Sequence, residues 1–139
     1  MQKRNIYLKK RNNAFKVSKN LLLSFKYAFK GIYYCFQYTR NFRIQIFFSI
    51  AIFLLALIFN LRFFEYLILC STIISVLVLE ILNTSLESLV DLIVENKFSK
   101  LAEISKDCSA AAVLLAAINS IFVACYIFIP KIKLLIQNL

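Results

Sequence analysis

Three carboxylates and one amide stand inside a long apolar stretch of the sequence, at Glu80, Asn83, Glu87 and Asp91. Steps of three, four and four residues place these four side chains on one face of an α-helix. We call this set the polar stripe. Ionisable side chains are costly at membrane depth and, where they are kept there, usually line a buried site or a water-filled pocket. The polar stripe is therefore the first candidate for a functional site.

The chemistry that suits the polar stripe is phosphoryl transfer. Glu80 and Glu87 lie two helical turns apart, about 10 Å along the axis, so one end could contact a lipid headgroup and the other a soluble ligand. Phosphoryl transfer needs oxygen-ligated Mg²⁺, a cation on the phosphates and a carboxylate that accepts the hydroxyl proton. In this interpretation Glu87 holds Mg²⁺, Lys106 contacts phosphate and Glu80 is the base. The residues alone also permit an ion pathway or a structural contact between helices.

The composition excludes several other kinds of chemistry. The chain has no histidine, so histidine-based triads, metal sites and proton relays are ruled out. Its one glycine, Gly31, cannot supply a Walker A loop or a GxGxxG turn. Catalysis would have to rely on carboxylates, Lys, Asn, Ser or Thr, with a metal ion bound through oxygen.

The elements that position the polar stripe are membrane helices. Of 139 residues, 61% are hydrophobic, which leaves too little polar surface for a soluble domain. Apolar stretches at 44–61, 64–94 and 108–130 each reach the roughly 20 residues needed to cross the hydrocarbon core. The sequence predicts an all-α integral membrane protein with three transmembrane helices.

The segment before the first span predicts a separate arm. Residues 1–43 form this basic N-terminal arm, and 44–139 form the three-helix transmembrane domain. From 15 to 36, apolar residues recur at helical spacing opposite Lys19, Lys26 and Lys30, which predicts an amphipathic helix on the membrane surface. It could anchor the protein to anionic lipid, or form a lid over the polar stripe.

The distribution of positive charge predicts the orientation. With the N-terminus and the second loop in the cytoplasm, fourteen of the lysines and arginines lie inside and three outside. The Asp91 end of the polar stripe then faces the cytoplasm, where ATP is available.

The run from Glu80 to Asp91, EILNTSLESLVD, closely resembles the signature of the prokaryotic diacylglycerol kinase family, which includes undecaprenol kinases. Further agreement is found at 24–31, 40–44 and 106–113, so the similarity covers about 24–130. The resemblance implies a surface helix plus three membrane helices, assembled as a homotrimer with shared active sites in the bacterial cell membrane. It implies transfer of the ATP γ-phosphate to a membrane lipid alcohol, with Mg²⁺, and no nucleic-acid partner.

The resemblance also assigns roles to individual positions. Glu80 matches the catalytic base and a lipid contact, Glu87 matches a metal ligand and an ATP contact, and Asn83 and Asp91 are polar residues of the site. The other positions that match ATP contacts are Tyr27, Glu95, Asn96, Lys106 and Asp107. The other positions that match lipid contacts are Lys30, Gly31, Asn41, Phe42, Arg43 and Ala110.

One position departs from the family pattern at the metal site. The family usually has a second metal-binding glutamate where this chain has Thr39, and no Asp or Glu occurs before Glu65. A hydroxyl is a weaker Mg²⁺ ligand than a carboxylate, although Mg²⁺ readily keeps waters and phosphate oxygens. At Gln45, relatives often carry His or an acid. Two hypotheses follow: an active lipid kinase, or a catalytically degenerate membrane interaction protein of the same fold.

Overall fold

A computed structural model describes residues 21–95 and 97–137, and this part of the chain contains four helices and no strand. We number them α1 (Leu21–Tyr38), α2 (Arg40–Ile58), α3 (Phe63–Val94) and α4 (Lys100–Gln137). The chain divides into two compact units, 1–38 and 39–139. The predicted all-helical fold class is confirmed.

The described part of the first unit is α1. The sequence predicts a helix at 15–36; a helix is present from Leu21 onward, and 15–20 lie outside the described residues. Lys30 Nζ lies 5.7 Å from the centre of the Tyr27 ring, one turn away on the same helix, a cation–π distance. Two of the positions predicted to bind ligands are thus neighbours. The placement of α1 on a membrane surface stays a prediction.

The second unit contains three helices that are long and apolar enough to cross a membrane, α2, α3 and α4. They coincide with the three predicted spans, but their ends differ. The third stretch was expected at 108–130, whereas α4 begins at Lys100 and continues through Pro130 to Gln137. Proline removes one backbone hydrogen bond from a helix, and a helix of 38 residues keeps the bonds on either side. Lys106 and Asp107 are therefore the seventh and eighth residues of α4 and do not lie at its start.

A short connection makes α3 and α4 antiparallel neighbours. Glu95 ends α3 in a left-handed conformation, with φ 46° and ψ 45°, and its N–H donates to the carbonyl of Asp91 at 3.2 Å. This conformation at a helix C-cap ends the helix, and beyond the connection Lys106 of α4 pairs with Asp91 of α3. As a result, the last turns of α3 face the first turns of α4.

The apolar core lies toward the opposite end of the three helices. Leu69 from α3 packs with Ala56 from α2 and with Ile127 and Phe128 from α4, and all four are buried. The Tyr66 hydroxyl donates to the Ala56 carbonyl at 2.9 Å, which satisfies a polar group beside this cluster. The core fixes α2, α3 and α4 together at this end.

An ion pair closes the same end. Glu65 Oε2 accepts a hydrogen bond from the Arg62 N–H at 2.6 Å and lies 3.0 Å from Lys131 Nζ. The first contact caps the N-terminus of α3, and the second joins α3 to α4. These contacts fix the N-terminal end of α3, and the polar stripe lies in the C-terminal half of the same helix.

Candidate active site

The four residues of the polar stripe pass from buried to exposed along the second half of α3. Glu80 is 3% exposed and Asn83 is 7% exposed, whereas Glu87 is half-buried and Asp91 is exposed. A buried carboxylate requires a polar partner, because an isolated charge in an apolar environment is strongly disfavoured. The contacts of each side chain with α2 and α4 therefore define the site.

The buried carboxylate of Glu80 is held from α2. Gln45 Nε2 donates to Glu80 Oε2 at 3.0 Å. The Thr84 hydroxyl donates to the backbone carbonyl of Glu80 at 2.9 Å. Thr84 therefore does not donate to the Glu80 carboxylate. The second carboxylate oxygen, Oε1, accepts no hydrogen bond from the part of the chain that the structure describes. This oxygen is therefore the one left to accept a proton.

Asn83 connects α3 to α4 and orients the next carboxylate. Its Nδ2 donates to Glu87 Oε1 at 3.0 Å, and its Oδ1 lies 2.6 Å from the Ser109 hydroxyl. The same hydroxyl lies 2.9 Å from the carbonyl of Lys106, although a hydroxyl has one proton to donate. Because Asn83 uses both ends of its amide, it fixes the rotamer of Glu87 and leaves Glu87 Oε2 for another partner.

The open end of the polar stripe carries a cation. Lys106 Nζ lies 2.5 Å from Asp91 Oδ1, with side chains that are 37% and 62% exposed. Exposed ion pairs of this kind contribute at most about 1 kcal/mol, so Lys106 can exchange Asp91 for a phosphate at little cost. This pair borders a cleft of about 460 Å³ between the end of α3 and the start of α4. Its lining residues are Val90, Asp91, Val94, Lys97, Phe98, Ser99, Ala102, Glu103 and Lys106.

The other predicted site positions that the structure describes lie at four places. Thr39 is the N-cap of α2, and Asn41, Phe42 and Arg43 form its first turn; Phe42 is 2% exposed. Glu95 is the C-cap of α3, and Asn96 lies outside the described residues. Asp107 and Ala110 are exposed on α4. The first unit carries the remaining three, Tyr27, Lys30 and Gly31, on α1.

Two polar residues of this site were not among the predicted ones. In the sequence, Gln45 is notable only as a departure from a family pattern, and Ser109 only as part of the matching run at 106–113. A signal for Gln45 was present, since it is an amide within an otherwise apolar span. Ser109 follows Lys106 by three residues, which places both on one face of α4. Neither signal identifies the partner on α3.

The oxygen ligands of the site fit a magnesium ion that is bound together with phosphate. Within 21–95 and 97–137, no three Asp, Glu or Cys side chains are grouped closely enough to hold a metal ion by themselves. Mg²⁺ does not need such a group, because it commonly takes one or two carboxylates and completes its shell with phosphate oxygens and waters. Glu87, with Oε2 available beside the exposed end of the polar stripe, meets that requirement.

Comparison with known proteins identifies the family of the chain. The chain is 44% identical to a diacylglycerol kinase of Synechocystis sp. over 127 residues, 91% of this chain and 73% of the relative. It is 34% identical to an undecaprenol kinase of Bacillus subtilis over 109 residues, 78% of this chain and 88% of the relative. A family model for prokaryotic diacylglycerol kinase matches residues 26–128 and so includes the whole polar stripe. The chain therefore belongs to the prokaryotic diacylglycerol kinase family and is a multi-pass membrane lipid kinase.

Proposed function

We propose that this protein transfers the γ-phosphate of ATP to the hydroxyl of a membrane lipid alcohol, either diacylglycerol or undecaprenol, in a reaction that depends on Mg²⁺. The observation that carries the proposal is the graded exposure of the polar stripe. Glu80 is buried, which suits a base for a lipid hydroxyl, and the Asp91 and Lys106 side chains are exposed, which suits contact with a soluble nucleotide. The names of the two relatives support both acceptors.

Glu80 acts as the general base. Its Oε1 takes the proton of the lipid hydroxyl as the hydroxyl oxygen attacks the γ-phosphorus and the bond to the ADP oxygen breaks. Burial favours this role. Water molecules do not compete for the carboxylate, so the lipid hydroxyl can be held against it in a defined position. Asn83 keeps Glu87 oriented during the reaction through the hydrogen bond to Oε1.

ATP binds at the exposed end of the polar stripe. Lys106 contacts the phosphates after leaving Asp91, and the 460 Å³ cleft between α3 and α4 accepts part of the nucleotide. Glu87 would hold Mg²⁺ through Oε2, and the metal would supply positive charge to the phosphates. Tyr27, Glu95, Asn96 and Asp107 complete the nucleotide contacts by resemblance to the family.

The lipid alcohol approaches from the membrane. Lys30 and Gly31 of α1, Asn41, Phe42 and Arg43 of α2 and Ala110 of α4 form its contact positions by resemblance. The protein lies in the bacterial cell membrane as a homotrimer, with α1 on the cytoplasmic surface and with the N-terminus and the α3–α4 connection in the cytoplasm. The charge distribution of the chain supports this orientation.

A second candidate function rests on Thr39. Its position at the N-cap of α2 offers a hydroxyl where a carboxylate would bind Mg²⁺ more strongly. If the lack of a carboxylate at position 39 abolishes metal binding, the protein has no catalytic activity. It would then act as a membrane interaction protein with the kinase fold.

The test is phosphate transfer from γ-labelled ATP in lipid vesicles that contain Mg²⁺ and either diacylglycerol or undecaprenol. The wild-type protein is expected to label one of the two lipids, and Glu80→Gln is expected to lower the rate at least about 100-fold, because general-base catalysis contributes 10²- to 10⁴-fold. Ser75→Ala is the matched control, since Ser75 is exposed on the same helix and, among the described residues, its side chain bonds only to the Ser71 carbonyl.

Glu87→Gln separates the metal site from the base. It is expected to abolish activity at ordinary Mg²⁺ concentrations while the purified protein remains helical and oligomeric. An unchanged rate would contradict the assignment of Glu87 as the metal ligand. No labelled lipid from well-folded wild-type protein would favour the non-catalytic candidate instead.

A further inference from the structure

The buried carboxylate of Glu80 on α3 is contacted by a side chain from another helix, the amide of Gln45 on α2. Gln45 lies near the start of α2, 35 residues before Glu80, and its Nε2 donates to Glu80 Oε2 at 3.0 Å. A hydrogen bond to an ionised group is about twice as strong as one between neutral groups. The contact therefore ties the position of the carboxylate to α2.

The orientation of this amide follows from the chemistry of its partner. An ionised carboxylate only accepts hydrogen bonds, so the NH₂ group of Gln45 must face Glu80 and the carbonyl oxygen must point elsewhere. That oxygen, Gln45 Oε1, is buried and has no hydrogen-bond partner among the described residues. Most buried polar atoms in proteins are paired. The structure thus leaves one acceptor unpaired while it holds the carboxylate.

We infer that Gln45 is a positioning residue for Glu80: its amide occupies Glu80 Oε2 and thereby directs Oε1 of the same carboxylate toward the hydroxyl of the lipid substrate. This inference rests on the proposed function. The proton of the lipid hydroxyl moves to Glu80 Oε1, the lipid oxygen forms a bond to the γ-phosphorus, and ADP leaves with the electron pair of the broken P–O bond. Gln45 donates the same hydrogen bond before and after the step.

The type of residue at 45 is important for this role. A carboxyl or an imidazole at this position could exchange a proton with Glu80, whereas an amide does not titrate. Gln45 therefore orients Glu80 without competing for the proton of the lipid hydroxyl. Ser49, one turn further along α2, donates to the Gln45 backbone carbonyl at 2.7 Å and leaves the side-chain amide untouched.

The kinetic test compares Gln45→Met, Gln45→His and Ser49→Ala in lipid vesicles with a lipid alcohol that the wild type phosphorylates. Gln45→Met keeps most of the side-chain volume but removes the donor, and we expect kcat to fall about 10- to 100-fold with little change in the KM for ATP. Gln45→His, which can donate through a ring N–H, is expected to recover part of this loss. Ser49→Ala is expected to match the wild type.

A second readout does not depend on activity. Infrared spectra of the purified protein, with Glu80 identified by comparison with Glu80→Gln, report the hydrogen bonding of this carboxylate through its stretching bands. We expect these bands to shift in Gln45→Met and to stay in place in Ser49→Ala. The same preparations provide circular dichroism spectra, which check that each variant keeps its helices.

The outcomes separate the two proposals. Absence of a band shift in Gln45→Met would overturn the contact, and a shift with kcat equal to that of Ser49→Ala would overturn the positioning role. A wild-type protein that shows the Glu80 bands but phosphorylates neither lipid would contradict the proposed function and, with it, the role of Gln45, while the contact itself would stand.

Discussion

At the scale of single residues, the orientation of Glu80 and Glu87 depends on two amides. Gln45 holds Glu80 from α2, and Asn83 holds Glu87 while it accepts a hydrogen bond from Ser109 on α4. An amide offers donors and acceptors without adding charge to a buried region. The two carboxylates on this face of α3 can therefore be oriented by contacts from both α2 and α4. Removal of one of these contacts should lower the free energy of unfolding or the rate of lipid phosphorylation.

Ser109→Ala is expected to lower the free energy of unfolding by about 1 to 2 kcal/mol, because it leaves the buried Asn83 Oδ1 without its donor at 2.6 Å. The measurement is chemical unfolding in detergent micelles followed by circular dichroism. Ser75→Ala removes an exposed bond within one helix and is expected to change the free energy by less than about 0.5 kcal/mol. Equal effects of the two substitutions would contradict a role for Ser109 in holding Asn83.

Thr39→Glu is expected to raise activity or the apparent affinity for Mg²⁺, because it restores a carboxylate where the family usually has one. The measurement is the rate of lipid phosphorylation as a function of Mg²⁺ concentration. Thr39→Gln is the control, since it adds similar length without charge and should resemble the wild type. If Thr39→Glu changes neither quantity, the missing carboxylate is compensated elsewhere in the assembly.

At the scale of elements, the sequence predicted the helices better than the contacts between them. The three apolar stretches correspond to α2, α3 and α4, and the spacing of the polar stripe predicted a shared face on α3. The end of α4 was not predicted, since Pro130 lies inside the helix. Gln45 and Ser109 lie 35 and 26 residues from their partners, so their pairing depends on how the helices are aligned in space, which periodicity along one helix does not determine.

The alignment of α3 and α4 is secured by Glu65, which caps α3 and pairs with Lys131 in a partly buried position. Glu65→Gln weakens both contacts and is expected to lower the free energy of unfolding by about 1 to 2 kcal/mol. Glu103→Gln is the matched control, because the Glu103–Lys100 pair is exposed within one helix and should contribute less than about 0.5 kcal/mol. Chemical unfolding of both variants under one set of conditions makes the comparison. A larger loss in Glu103→Gln would contradict the proposed alignment role of Glu65.

At the scale of the whole molecule, three spans per chain are few to enclose a site for two substrates. Glu87 is half-buried and Asp91 exposed on one copy, so a second copy can complete the walls around them. The resemblance to the family implies three copies, and the small residues at 109–112 of α4 permit close contact between helices.

Native mass spectrometry of the protein released from detergent is expected to give an assembly of three 16.1 kDa chains. If the site is shared between copies, as the resemblance implies, lipid phosphorylation should be lost together with the trimer during titration with a harsher detergent. A fully active monomer would contradict the shared site.

The lengths of the helices have a further consequence for the membrane around the protein. The 19 residues of α2 rise about 28 Å, close to the roughly 30 Å of a hydrocarbon core, whereas the 32 residues of α3 rise about 48 Å. A thicker bilayer therefore leaves α2 too short while α3 can still span it by changing its tilt. Gln45 lies on α2 and Glu80 lies on α3. A change in the tilt of one helix relative to the other is therefore expected to change the distance between the two side chains. The acyl-chain length of the host lipids is thus expected to tune catalysis through this one hydrogen bond.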